Sequence, residues 1–159
     1  MPYSIDLIVE ILKAQRIGTC TYSIEWLLTD SRSLCFPEET LFFALVTQRN
    51  SGAAYIENLY NRGVVISAKE EQLNRIKEEN LFPEANFLIV DSPLKALQKL
   101  AEKHREQFNI PVIGITGSNG KTIVKEWIHQ ILAPSKRVVR SPRSYNSQIG
   151  VPLSVWQMN

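Results

Sequence analysis

The sequence has few cysteines and almost no excess of charge, and both shortages exclude classes of protein. Its 159 residues include only two cysteines, Cys20 and Cys35, too few for a disulfide framework. Lysine and arginine total 18 against 16 aspartates and glutamates, so the net charge is only +2. A dedicated nucleic-acid-binding protein carries a much stronger basic bias. These counts favour a protein of a reducing compartment that has no nucleic-acid partner.

Long apolar runs are also missing from the chain. No stretch approaches the ~18 apolar residues that cross a membrane. The first residues, MPYSIDLIVEILK, lack a basic start and carry Asp6 and Glu10 within the apolar pattern, so we do not expect a signal peptide. Hydrophobic residues nevertheless make up 44% of the chain and charged residues 21%, which is typical of a globular protein with its own core.

Strand and helix patterns alternate along the chain, and this alternation predicts an α/β fold. One helix is predicted over 5–12 with Ser4 as its N-cap, and another from Ser92-Pro93 to Phe108. Strands are predicted at 24–28, 41–46, 64–67, 87–90, 112–116 and 136–140, and further helices at 54–62, 70–79, 121–132 and the C-terminal end. We expect one small α/β domain over 1–109 and the beginning of another over 110–159.

The segment VIGITGSNGKTIVKE (112–126) carries the most specific chemical signal. An apolar run, a glycine-rich turn and a helical pattern follow one another, as phosphate binding requires. Glycines let the backbone N–H groups converge, and the N-terminus of a helix adds partial positive charge. The glycine spacing is G-x-x-G-x-x-G-K-T, because Gly114 stands one position before the usual first glycine. A structural turn with an exposed lysine is the less specific alternative.

The residues of this turn have distinct predicted roles. Lys121 is expected to bind the β- and γ-phosphates of ATP and to stabilise charge during catalysis, and Thr122 to bind Mg²⁺. The predicted ATP-binding residues are Gly117, Ser118, Asn119, Gly120, Lys121 and Thr122. Only 37 residues follow Thr122, fewer than a complete ATPase domain needs. We therefore expect the chain to be part of a longer protein and to be inactive alone.

Three further segments accompany the phosphate loop in a particular order. Thr29-Asp30-Ser31-Arg32 is a D-S-R turn, Leu41–Tyr55 reads LFFALVTQRNSGAAY, and Tyr145–Leu153 reads YNSQIGVPL. Together with the phosphate loop, these segments resemble the Mur ligase family, and within it the branch that adds D-alanyl-D-alanine. The chain departs from the family pattern, which has Gly, Asp, His, Asn and Glu, at Thr47, Ser51, Ala53, Ser147 and Gln148.

The resemblance implies a cytoplasmic enzyme of peptidoglycan precursor synthesis that uses ATP and Mg²⁺. Such an enzyme phosphorylates the terminal carboxylate of UDP-N-acetylmuramoyl-tripeptide, and the amine of D-alanyl-D-alanine then attacks the acyl phosphate. Residues 1–109 would be the UDP-substrate-binding domain and 110–159 the start of the central ATP-binding domain. The variant pattern is also similar to that of ligases fused to an alanine racemase, and pyridoxal phosphate would be a cofactor only if such a domain followed.

The candidate UDP-sugar-binding residues are Ser31, Arg32 and Asn146. The guanidinium fork of Arg32 suits a diphosphate, although the same turn would also form as a capped turn with a solvated charge. Weaker candidates for the same pocket are Gln48 and Arg49.

Other charged and apolar residues have simpler interpretations. A basic cluster is interpreted mainly as solvated surface, and it comprises Lys136, Arg137, Arg140 and Arg143. The alternatives are binding of an anionic substrate or of nucleic acid, and no interleaved aromatic residues support the latter. His104 and His129 are interpreted as structural, because neither has a partner at metal-ligand spacing. We also expect exposed apolar residues in the last ~50 residues of the chain to favour self-association; they are Val112, Ile113, Ile115, Val151 and Leu153.

Two other functions remain open from the sequence. The chain would act only as a UDP-sugar-binding module if its phosphate loop bound no ATP. It would instead belong to a different P-loop kinase or NTPase if the phosphate loop served another acceptor. We regard the second as less favoured, because such domains usually begin with the phosphate loop and continue for ~100 residues or more.

Overall fold

A five-stranded, mostly parallel sheet organises the first part of the chain. The computed structural model describes residues 2–46, 51–73, 86–142, 145 and 147–159. The strands are β1 (Tyr3–Ser4), β2 (Gln15–Ile17), β3 (Ser23–Ile24), β4 (Trp26–Leu28), β5 (Thr40–Phe43), β6 (Val65–Ala68) and β7 (Phe87–Ile89). The main sheet has the order β2-β7-β6-β5-β4, in which only β2 runs antiparallel to its neighbour. Strands β1 and β3 form a separate antiparallel pair.

Among the described residues there are five α-helices and several short 3-10 turns, and three of the helices follow the last strand. The helices are α1 (Ile5–Leu12), α2 (Ile56–Tyr60), α3 (Pro93–Glu106), α4 (Lys121–Leu132) and α5 (Gly150–Val155). The 3-10 turns are Ser31–Ser33, Pro37–Glu39, Gly52–Tyr55 and Glu70–Gln72. The chain divides into two compact units, Met1–Leu100 and Ala101–Asn159. The α/β class predicted from the sequence is confirmed.

The two central strands form the core of the first unit. Every residue of β5 and of β6 is buried, as expected for parallel strands that are covered on both faces. On one face, Phe42 and Ile66 pack in a cluster with Ile56 and Leu59 of α2. Burying this apolar surface is the main stabilising contribution to the unit.

Local signals correctly predicted the start of α1 and the end of α2. The Ser4 hydroxyl accepts a hydrogen bond from the Leu7 N–H at 3.2 Å, so Ser4 caps α1 as expected. Gly63 follows α2 at φ +81°, a conformation that favours glycine, and its N–H donates to the Tyr60 carbonyl at 2.8 Å.

Three strand predictions differ from the structure. The run 24–28 is interrupted at Glu25, so Ile24 pairs with β1 while β4 joins the main sheet. Neither 112–116 nor 136–140 forms a strand. Val112 is 71% exposed, and no described residue pairs with either run. An apolar pattern alone does not make a strand, because its backbone groups must pair with a neighbouring strand.

Two further differences concern short elements. The helix predicted over 70–79 begins as the 3-10 turn Glu70–Gln72, and 74–79 lie outside the described residues. Strand β2 was not predicted, because its three residues, Gln15–Ile17, have no apolar alternation.

A buried histidine connects α3 to the C-terminal end of the second unit. The His104 ring lies 4.6 Å from the ring of Trp156 and 5.1 Å from that of Phe108. Its Nε2 is 2.8 Å from the carbonyl oxygen of Met158. Burial lowers the pKa of His104 and outweighs this hydrogen bond, which acts in the opposite direction. These contacts agree with the structural role expected for His104.

Candidate functional site

The phosphate loop has the backbone conformation that its glycines predict. Gly117 lies at φ +145° and Gly120 at φ +76°, and α4 begins at the next residue, Lys121. A Cβ atom added at Gly120 would meet no other atom within 4 Å. Glycine is favoured at this position because of the positive φ angle. Steric crowding is not the reason, since there is space for a Cβ atom. The loop leads directly to the N-terminus of α4, where unpaired N–H groups favour an anion.

The Lys121 side chain lies over this loop. Its ammonium donates hydrogen bonds to the carbonyl oxygens of Gly117 and, at 3.3 Å, of Ser118. Thr122 is exposed on the first turn of α4, beside Lys121. A flexible ammonium and a hydroxyl at a helix N-terminus are the groups expected to contact a nucleotide phosphate and its Mg²⁺.

No described residues form a metal site made of protein ligands alone. Within the ranges that the structure covers, no group of three His, Cys, Asp or Glu side chains could hold a metal ion. Mg²⁺ commonly takes phosphate oxygens, waters and one or two protein oxygens as ligands, and the exposed Thr122 hydroxyl beside the loop is an oxygen of that kind. The residues present thus fit ATP and Mg²⁺.

The second predicted site begins where β4 ends. Asp30 caps the 3-10 turn Ser31–Ser33, and its carboxylate accepts a hydrogen bond from the Arg32 N–H at 3.1 Å. The Arg32 guanidinium binds the same carboxylate through Nε, at 2.9 and 3.2 Å, and through Nη2, at 2.6 Å. The sequence suggested Arg32 for a diphosphate, and the structure shows that one edge of its guanidinium already binds a carboxylate.

The ion pair changes the acidity of both groups. Hydrogen bonds from Arg32 lower the pKa of Asp30 to about 2. The hydrogen bond to Asp30 is the largest cause of the raised pKa of Arg32, and the charge of Asp30 adds to it. Ser31 is half-buried in the same turn, whereas the Arg32 side chain is 87% exposed.

The segment after β5 lies at the same edge of the sheet. Strands β4 and β5 are parallel neighbours, so the turn with Arg32 and the turn Gly52–Tyr55 both follow their carboxyl ends. This edge is where open α/β sheets usually bind ligands. The sequence predicts no role for Tyr55, although its aromatic ring at the end of the second motif is a signal for one.

Gly52 fixes the path of this second segment. An added Cβ would lie 2.8 Å from the backbone of Ala44, so a side chain would displace the main chain. The Gly52 N–H also donates to the Leu45 carbonyl at 2.7 Å. Gln48 and Arg49 lie outside the described residues.

The third motif forms the start of α5. The Ser147 hydroxyl accepts a hydrogen bond from the N–H of Gly150, the first residue of α5, at 2.9 Å. A Cβ atom added at Gly150 would lie 2.9 Å from Cβ of Tyr145, so glycine is needed at this close approach. Asn146 and Arg143 lie outside the described residues, and the role predicted for Asn146 stays a prediction.

A left-handed glycine loop, a lysine bent over it and a helix N-terminus are features of the phosphate loops of P-loop proteins. The sequence profile of the Mur ligase middle domain matches residues 115–159. The UDP-N-acetylmuramoyl-tripeptide–D-alanyl-D-alanine ligase of Bacillus subtilis is 33% identical over 135 residues, which are 85% of this chain and 28% of that protein. The ligase of the same name from Haemophilus influenzae is 30% identical over 155 residues, which are 95% of this chain and 32% of that protein. The chain belongs to the Mur ligase family.

Solved structures agree with this assignment. A crystal structure of MurF from Acinetobacter baumannii matches with a TM-score of 0.82 at 22% identity, over 100% of this chain and 34% of that one. MurF from Thermotoga maritima, solved in complex with ADP, matches with a TM-score of 0.68 at 26% identity. The match covers 83% of this chain and 29% of that one. The chain therefore spans about a third or less of the length of these relatives.

Within the described residues, every helix is too short or too polar to cross a membrane.

Proposed function

We propose that this chain is the N-terminal part of an ATP-dependent ligase that adds D-alanyl-D-alanine to UDP-N-acetylmuramoyl-tripeptide. The observation that carries the proposal is the phosphate loop, Gly117–Thr122, at the start of α4. It occurs in a chain whose curated relatives have this activity in their names. The protein would act in the cytoplasm during synthesis of the cell-wall precursor.

The second unit would supply the ATP-binding part of the reaction. Lys121 would bind the β- and γ-phosphates, and Thr122 would bind Mg²⁺. ATP supplies the phosphoryl group that turns the tripeptide carboxylate into an acyl phosphate. An amine does not readily attack a carboxylate at neutral pH, so this activation is needed. The charge of Lys121 and the loop N–H groups would stabilise the negative charge that develops on the transferred phosphoryl group.

The first unit would bind the UDP end of the substrate. Arg32 and Ser31 lie at the carboxyl edge of the sheet, with Tyr55 nearby. Asp30 binds the Nε edge of Arg32, and the other edge, formed by Nη1 and Nη2, is available to a diphosphate oxygen pair. Asn146 is proposed as a further substrate contact. We retain the domain division at 109/110, with UDP-substrate binding before it and ATP binding after it.

A chimeric enzyme tests this proposal. This chain replaces the matched residues of the Bacillus subtilis relative, and ADP release is measured with Mg-ATP, UDP-N-acetylmuramoyl-tripeptide and D-alanyl-D-alanine. We expect ADP release to require both acceptor substrates. Lys121→Met should abolish the activity, whereas Lys95→Met, at an exposed position on α3, should leave it unchanged.

Two results would contradict the proposal. One is a folded chimera that releases no ADP. The other is ADP release that does not depend on D-alanyl-D-alanine, which would favour a different P-loop kinase or NTPase. Circular dichroism and a thermal melt establish that the chimera is folded before either result is interpreted.

Self-association is a separate expectation for this chain. Val112, Ile113 and Val151 are 71%, 59% and 49% exposed, as predicted, whereas Ile115 and Leu153 are half-buried. Exposed apolar surface of this kind favours association between copies. Sedimentation that remains monomeric at high concentration would contradict it.

A further inference from the structure

Two charged residues of α4 bind the segment that follows this helix. The Lys125 ammonium donates a hydrogen bond to the Ser141 carbonyl at 2.7 Å and lies 3.3 Å from the Glu126 carboxylate. The Glu126 carboxylate accepts a hydrogen bond from the Arg140 guanidinium at 2.5 Å. Together these four residues form the α4 bridge. The function proposed above uses none of them.

The bridge is partly shielded from water. The Lys125 side chain is only 16% exposed, and those of Glu126 and Arg140 are 34% and 37% exposed. Charged groups in such surroundings hold their geometry better than exposed surface pairs, because water screens them less. Arg140 belongs to the basic cluster of the sequence analysis, and the structure pairs it with Glu126.

The position of the bridge along α4 gives it a functional meaning. Lys125 lies four residues after Lys121, so the two side chains share one face of the helix. The chain leaves α4 at its C-terminal end, yet Ser141 lies beside Lys125, in the first half of the helix. At about 1.5 Å per residue, this contact is roughly 6 Å along the helix from the phosphate-binding lysine.

The returning segment continues directly into the third motif. Tyr145 is four residues after Ser141, a distance that an extended chain spans in about 14 Å at most. The bridge therefore fixes Ser141 beside α4, four residues before the third motif begins. No strand pairing performs this task, because 136–140 is not a strand in the described structure.

We propose that Lys125 and Glu126 are positioning residues, which fix Arg140 and Ser141 relative to the phosphate loop. This inference rests on the proposed function. In that function, the bridge would help to align the acceptor carboxylate with the phosphoryl group of ATP. Misplacement by about 1 Å can cost ~100-fold in rate, so loss of one contact should lower kcat. Binding of ATP by Lys121 and Thr122 should change little.

The chimeric ligase tests this role through its kinetic constants. Glu126→Gln and Arg140→Gln should each lower kcat per folded molecule about tenfold or more, with KM for ATP within about threefold. Arg140→Lys keeps the charge and should restore most of kcat. The matched control is Gln130→Lys, which changes the net charge as Glu126→Gln does, at an exposed position of the same helix. A kcat within twofold of the control for both glutamine variants would overturn the proposal, as would a loss explained entirely by unfolded protein.

A second measurement does not depend on activity. Hydrogen exchange of the backbone amides in 145–155 is compared in this chain and in the same variants. The bridge predicts faster exchange in Glu126→Gln and Arg140→Gln and no change in Gln130→Lys. Unchanged exchange in both glutamine variants would overturn the positioning role. If the parent chimera makes no ADP while exchange responds as predicted, the proposed ligase function fails and the positional role of the bridge stands.

Discussion

Asp30 binds one edge of the Arg32 guanidinium with both of its carboxylate oxygens, and the same carboxylate caps the turn that carries Arg32. Within the described residues, the second amino group, Nη1, has no hydrogen-bond acceptor. A guanidinium has two edges that can each bind an acceptor pair, so the pairing with Asp30 leaves one edge for a ligand. The D-S-R turn thus both holds and presents its arginine.

The acidity of Asp30 should report this pairing. The pKa of Asp30 is about 2, and Arg32→Ala should raise it towards the ordinary value of 3.8. Because the folded-state pKa is depressed, the pairing stabilises the protein above pH ~4, and this contribution is lost as the pH falls towards 2. Solvent screening keeps it small, below about 1 kcal/mol. Carboxyl chemical shifts followed by NMR give the midpoint, and titration of Asp30 near 3.8 in the parent chain would contradict the pairing.

The phosphate loop should tolerate a side chain at one glycine and not at another. Gly120→Ala should lower the free energy of unfolding by about 1–2 kcal/mol, because alanine is strained at φ +76°. Gly114→Ala is the matched control, since no atom lies within 4 Å of the added Cβ and φ is not positive. It should change the free energy of unfolding by less than about 0.5 kcal/mol. Denaturant unfolding measures both, and equal effects would refute the conformational explanation.

His104 should make stability depend on pH. Burial lowers its folded-state pKa from 6.5, so the unfolded chain binds more protons than the folded chain just below pH 6.5. The free energy of unfolding should therefore be highest above pH ~6.5 and fall as the pH is lowered. His104→Gln keeps an N–H donor for the Met158 carbonyl and cannot titrate. Its unfolding free energy should fall less between pH 7.5 and 5.5, and an identical fall in both proteins would count against the burial argument.

A buried serine in the central sheet should be replaceable with a gain in stability. Ser67 of β6 is fully buried, and its hydroxyl has no hydrogen-bond partner among the residues that the structure covers. An unpaired buried hydroxyl costs about 1–3 kcal/mol, so Ser67→Ala should raise the free energy of unfolding by about 1 kcal/mol. Ser23→Ala, at an exposed position of β3, should have almost no effect. A destabilised Ser67→Ala variant would show that the hydroxyl has a partner.

The features that were predicted best are those that depend on residues close together in the sequence. The Ser4 cap, the stop at Gly63 and the glycine loop before α4 all follow from local backbone and side-chain chemistry. The α/β class follows from the alternation of apolar patterns, which burial in a mostly parallel sheet requires. These features needed no knowledge of distant contacts.

The features that depend on distant partners were not predictable in the same way. The apolar run 24–28 predicts one strand, whereas its two halves pair in different sheets. Segments 112–116 and 136–140 have strand-like composition but no strand partner among the described residues. The pairing of Arg140 with Glu126 joins residues 14 positions apart, which no spacing rule indicates. At the candidate site, the sequence identified Arg32 but not its nearest partner, Asp30, or its neighbour Tyr55.

Calorimetric titration of this chain with UDP-N-acetylmuramoyl-tripeptide, and separately with Mg-ATP, tests the central claim most directly. The account predicts heat with the UDP ligand and an affinity at least about tenfold weaker in Arg32→Ala, because a charge-assisted hydrogen bond is worth about 1.5–3 kcal/mol. Arg62→Ala, at an exposed arginine after α2, is the control and should bind as the parent does. Heat with the UDP ligand but none with Mg-ATP would identify the isolated chain as a UDP-sugar-binding module. Tight binding of Mg-ATP with no response to the UDP ligand would contradict the roles proposed for Ser31, Arg32 and Asn146.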